Sequence, residues 1–141
     1  MKTLVWNLIA LVAGLLIGGS VNMAIIALGG HWVPPPPGVN PSDAQSIAAH
    51  IHEYQYHQLL IPFLAHALGT LVGASVAFIL GRRIRWTLAW IVGFAFLAGG
   101  IAAVQMIPAP LWFVVLDLGV AYLPMAWLAT RLSESFAGGG E

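Results

Sequence analysis

Four apolar runs of about twenty residues each constrain this chain more than anything else in it. They cover about residues 3–29, 59–80, 86–106 and 110–132. A helix of that length crosses the roughly 30 Å of hydrocarbon in a bilayer. Unbroken apolar runs exclude barrel strands, which alternate over about ten residues. Glycines inside the runs are ordinary for membrane helices. Composition closes the soluble alternative, because 60% of the 141 residues are hydrophobic and 7% are charged. Soluble domains carry about 25% charged residues. Mean hydropathy is +0.89. Five basic and five acidic residues cancel, which excludes a polybasic nucleic-acid binder and an acidic tail. The absence of cysteine removes disulfides, thiolate metal sites and cysteine nucleophiles.

The first run is longer than a signal-peptide core and no A-x-A site follows it, so it reads as a retained helix. With four crossings, Lys2, Arg82, Arg83, Arg85 and Arg131 all fall on one side. The positive-inside rule then puts both termini in the cytoplasm. Trp6, Trp86, Trp90 and Trp127 mark the inner interface, Trp32 and Trp112 the outer one. Gly81–Ile84 and Ile107–Pro110 are tight turns, so their flanking helices run antiparallel and adjacent. Ser133–Glu141 reads as a short flexible tail.

The one large loop, 30–58, opens on the stiff Pro34–Pro37 spacer, followed by a turn at Gly38–Pro41. Ser42 and Gln45 have capping-box spacing. A surface helix is expected over about 43–57, with Ile47, Ile51 and Tyr54 as its apolar stripe. It lies on the outer membrane surface or caps the bundle.

Within the spans, polar residues ride on faces of small residues. Gly14, Gly18 and Asn22 share one face, and Pro62, His66, Gly69, Thr70, Gly73 and Ala77 another. Ala98, Ala102 and Gln105 share a third, and Phe113, Asp117, Ala121 and Pro124 a fourth. Gly14/Gly18 and Gly69/Gly73 are G-x-x-x-G pairs, which let helix backbones approach closely. At a rise of about 1.5 Å per residue, Asn22, His66 and Asp117 all lie roughly 10–12 Å below the outer edge, with Gln105 nearer the mouth. Asp117 is the only acid deep in a span and His66 the only cation available to it. The expectation is an Asp117–His66 pair with Asn22 as third partner. It serves as a proton or ion relay, or as an interhelical clamp. Pro124 frees the Val120 carbonyl and kinks the last span.

On a helix over 43–57, His50, Glu53 and His57 share one face, a weak ligand set for a divalent metal such as Zn²⁺. The plainer reading is a wet interfacial helix. No other cofactor is called for. The chain contains no P-loop, dinucleotide fingerprint or nucleophile elbow, so an enzyme is not expected.

Gly18–Met23, the Pro34–Val39 stretch, Phe63–Ala74 and Trp112–Leu118 together resemble a group of small uncharacterised bacterial four-span inner-membrane proteins. The resemblance implies the fold and a bacterial inner (cytoplasmic) membrane location, and it brings no activity. The sequence thus predicts one all-α membrane domain over 1–141, an antiparallel bundle of four transmembrane helices with a short outer helix in the first loop. The expected function is that of a non-enzymatic accessory or structural subunit, packed against itself as a homo-oligomer or within a larger membrane complex. The alternative is a small proton- or metal-ion-linked transporter or channel using Asp117, His66 and Asn22.

Overall fold

The computed structural model describes residues 1–138. The chain is an all-helical bundle of four membrane-length helices. Helix α1 spans Lys2–Trp32. The loop carries α2, Ala44–His50, and a 3₁₀ turn, Ile51–Glu53. Helix α3 spans Tyr56–Leu80 and α4 spans Arg85–Met106. The last crossing is split into α5, Leu111–Val120, and α6, Leu123–Gly138.

Helix α3 is the hub, packed along α1 and against α4 and α6. Its seam with α1 is the glycine seam expected from the sequence. A methyl group added at Gly14 would stand 2.6 Å from the Gly73 carbonyl, and one at Gly18 2.6 Å from the Gly69 carbonyl. Only glycine permits that approach, which brings Cα–H groups against carbonyls across the interface. All four glycines are buried. Both G-x-x-x-G pairs are therefore used inside one chain.

One end of the bundle is a dry core. Ala10, Ala74, Ala77, Ala89, Val92, Ala126 and Ala129 are fully buried there, with Phe78 and Leu88 packed among them. The same end carries every basic residue and is tied by polar contacts suited to an interface. Trp6 Nε1 donates to the Leu80 carbonyl at 2.7 Å, and Arg82 lies over the Trp6 ring at 4.8 Å. The Arg82 amide donates to Asn7 Oδ1 at 2.8 Å. Trp86 donates to Glu134 at 2.8 Å, and Arg131 lies against both Trp86 and Trp127. Those contacts hold the last turns in place, so Ser133–Gly138 continues α6 where a flexible tail was expected. Residues 139–141 of that expected tail lie outside the described residues.

The other end is covered by the loop, where three sequence expectations need correction. The turn falls at Pro36–Val39, with the Val39 amide donating to the Pro36 carbonyl at 3.2 Å. Gly38 supplies the positive φ of +86° that such a turn requires. The N-cap of α2 is Asp43, not Ser42, and it accepts from the Gln45 amide at 3.0 Å. The helix expected over 43–57 ends at Glu53. Tyr54 is extended, Gln55 and Gln58 form a capping box, and His57 belongs to α3. The apolar stripe still does its work, because Ile47, Ile51 and Tyr54 close on Leu59, Phe63 and Phe113. The loop is fastened by Gln58 Nε2, which donates to the Pro34 carbonyl at 2.7 Å.

Candidate functional site

The split in the last span builds the site. Pro124 has no N–H to return to the Val120 carbonyl, and the helix breaks at Ala121–Tyr122. The Ala121 amide still reaches the Asp117 carbonyl at 2.9 Å, and α6 restarts with the Ala126 amide on the Tyr122 carbonyl at 2.8 Å. In an unbroken helix, residues five apart point well away from each other. The break turns Tyr122 back toward Asp117.

Asp117 is 3% exposed. His66 Nδ1 donates to its carboxylate, 2.8 Å from Oδ1 and 3.0 Å from Oδ2. The Tyr122 hydroxyl donates to Oδ2 at 3.1 Å. The His66 and Tyr122 rings stack with centroids 5.7 Å apart. Glycine at position 100 allows the tyrosine to lie against α4, since any side chain there would overlap its hydroxyl and ring. Thr70 donates to the His66 carbonyl at 2.7 Å and fixes the turn below it. An acid and a base paired in this way present no net charge to the hydrocarbon surroundings.

The predicted Asp117–His66 pair is therefore present. Asn22 is not its third partner; Tyr122 is. The Asn22 Oδ1 atom is buried without a hydrogen bond. An orphaned polar atom of this kind costs about 1–3 kcal/mol unless something else pairs with it. Gln105 does not join the layer either. It is exposed, together with Ala98 and Ala102, on the face of α4 that turns away from the bundle. Pro124, grouped on one face with Asp117, is exposed while Asp117 is buried.

Two cavities meet at His66. The first, about 250 Å³, lies under the loop. Its roof includes Pro35, Pro41, Ile47 and Tyr54, its walls Ile26, Val104 and Phe113, and its floor His66 and Asp117. Burial within that roof pushes the Tyr54 phenol above its usual range. The second cavity, about 220 Å³, lies between α1, α3 and α4. It is lined by Asn22, His66, Thr70, Phe96 and Tyr122 together with Gly19, Gly69, Gly99 and Gly100. His66, with 22% of its side chain exposed, is common to both. Towards the other end of the bundle, both give way to the dry alanine core.

The proposed metal ligands are not brought together. His50 is in α2, where its Nδ1 lies 2.9 Å from the Ser46 carbonyl, Glu53 is in the 3₁₀ turn, and His57 is in α3. Glu53 pairs instead with exposed His52 at 3.7 Å. The end of the helix at Glu53 is the physical reason, because the shared face existed only on a continuous helix. Among the described residues, no group of three or more His, Asp or Glu side chains is placed to hold a metal.

Sequence reasoning missed Tyr122. The available signal was that it is the only tyrosine inside a span and stands two residues before a proline. No family model, curated protein or solved structure matches the chain. What stands is a multi-pass integral membrane protein with four membrane-length helices and an Asp–His–Tyr cluster between two cavities.

Proposed function

We propose that this is a non-enzymatic membrane protein that binds a small ligand at the His66–Asp117–Tyr122 cluster and exchanges a proton there. The observation that carries the reading is the position of His66. Its Nδ1 is held by Asp117 while the rest of the ring faces two cavities. A purely structural clamp gains nothing from an imidazole left open on that side. An apolar pocket with a few convergent polar groups is the usual form of a small-molecule site. The dry alanine core below the cluster favours binding over an open channel.

A subunit role is favoured by a separate observation. The glycine stripes that suggested partner helices are consumed by the α1–α3 seam. The face of Ala98, Ala102 and Gln105 remains turned outward, small and with one polar end, a form that suits a second helix. We also propose that both termini are cytoplasmic, on the strength of the basic residues gathered at one end, in the bacterial inner membrane that the sequence resemblance implies.

The test uses histidine-¹⁵N-labelled protein in liposomes, with His66→Gln to assign the signal. The His66 ring nitrogens are expected to respond to a pH jump on the loop side. A signal deaf to pH on both sides makes the cluster a static clamp and ends this reading.

A further inference from the structure

The second cavity has features that the proton-exchange reading does not explain. Its α1 and α4 walls are thinned by Gly19 and Gly99, where an added Cβ would meet nothing within 4 Å. Gly99 is exposed on the surface of the bundle, so the cavity opens sideways between two membrane helices. That opening faces acyl chains, because both residues lie well inside their spans. A molecule entering there comes dissolved in the bilayer.

The interior specifies the head of that molecule. Asn22 lines the cavity, and its Oδ1 is turned inward, buried and unpaired, so rotation of the amide brings that oxygen to a donor in the cavity. His66 commits Nδ1 to Asp117, which leaves Nε2 for a ligand. A hydroxyl both donates and accepts. It can give to a neutral Nε2, take from a protonated one, and meet the Asn22 amide in either orientation. An ester or a simple carbonyl can only accept. The remaining walls are the rings of Phe96 and Tyr122, Thr70, Ala103 and side-chain-free glycine backbone. A cavity of about 150 Å³ holds a benzene ring, so this one, at about 220 Å³, takes a single substituted ring.

We propose that the second cavity binds a membrane-dissolved aromatic with ring hydroxyls and an apolar tail, of the quinol or alkylphenol class. It enters between α1 and α4 and is held by Asn22 and His66. The proposal names the ligand of the site described above and rests on that reading of His66.

The experiment places the whole protein in phosphatidylcholine nanodiscs and measures binding of radiolabelled decyl-hydroquinone against empty discs. Saturable binding of one probe per chain is expected. The dimethyl ether of the probe is expected to bind at least about tenfold more weakly, the factor that one well-made hydrogen bond commands. Asn22→Leu and Gly99→Leu are expected to weaken the probe by a similar factor. Gly99→Leu starts from open space and leaves the fold intact. Equal affinity for the ether, indifference to both variants, equal competition by decanol, or no binding above empty discs each overturns the proposal. If that happens while His66 still follows pH in the liposome test, only the ligand class and entry path fail. If His66 is silent too, the proton-exchange reading falls with them.

Discussion

Gly18 and Gly19 are neighbours with opposite surroundings, and that contrast yields the sharpest prediction of the fold. A methyl at position 18 meets the Gly69 carbonyl at 2.6 Å, the Gly73 Cα at 2.9 Å and a Phe96 ring carbon at 2.9 Å. The first two are backbone and cannot swing aside. Ordinary contact begins near 3.4 Å, so α1 and α3 must part by about 0.8 Å. A radial gap of about 0.5–1 Å forfeits a quarter to a half of each dispersion contact, at ~0.1–0.2 kcal/mol per atom pair. Taking about 20 atom pairs along the seam as the scale of such a contact, the loss is ~1 kcal/mol, and the weakened Cα–H···O contacts add ~0.5–1 kcal/mol. Gly18→Ala should destabilise the bundle by about 2 kcal/mol. Gly19→Ala adds its methyl to open space and should be neutral or slightly stabilising through helix propensity. The assay is reversible unfolding of each variant in the same mild detergent, followed by circular dichroism. Equal stability of the two variants would refute the close-packed glycine seam and the placement of α1 on α3.

Other expectations follow from single contacts. Tyr122→Phe removes the hydroxyl that reaches Asp117 at 3.1 Å and should cost about 1 kcal/mol in the same unfolding assay, with the ring stack on His66 preserved. Gln58→Leu removes the bond to the Pro34 carbonyl and half of the α3 capping box, so hydrogen exchange at residues 33–43 and in the first turn of α3 should accelerate while the rest of α3 and α4 stay protected. Tyr54 is held neutral by burial, so its folded pKa lies above its unfolded value of about 10. The docking that this residue supports is full below pH about 10 and is lost as pH rises through the raised folded value. Absorbance at 295 nm, wild type minus Tyr54→Phe, should show a late-titrating phenol.

Sequence reading reached the bundle and the central pair because both depend on simple counting. Hydropathy located four spans, and helical rise placed His66 and Asp117 at one depth. Both residues lie within continuous helix, so the count transferred to a 2.8 Å contact. The misses have physical causes. Tyr122 is five residues beyond Asp117, off its face on any regular helix, and only the break before Pro124 joins them. The face of Gln105 was open to either the bundle or a partner helix, because α4 is apolar all round and lipid tails are as apolar as leucine, so hydropathy cannot tell a core face from a lipid face. Glycine contacts at Gly93 and Gly100 decide which face of α4 turns inward. The loop helix was drawn too long because Ile47, Ile51 and Tyr54 keep their stripe through a 3₁₀ turn. The grouping of His50, Glu53 and His57 on one face came from the same overextension.

The depth of Asp117 has an electrical consequence. It lies six residues past the start of α5, about 9 Å into a hydrocarbon layer of roughly 30 Å. Under the proton-exchange reading, a proton that enters from the loop end crosses about a third of the transmembrane field to reach the cluster. Moving one charge through the whole field amounts to about 2.3 kcal/mol per 100 mV. A third of that is ~0.8 kcal/mol, or about a fourfold change in proton occupancy per 100 mV. On that reading the cluster acts as a shallow voltage divider, sensitive to membrane potential without any moving charged helix. Its polarity is set by which end of the bundle faces the negative side.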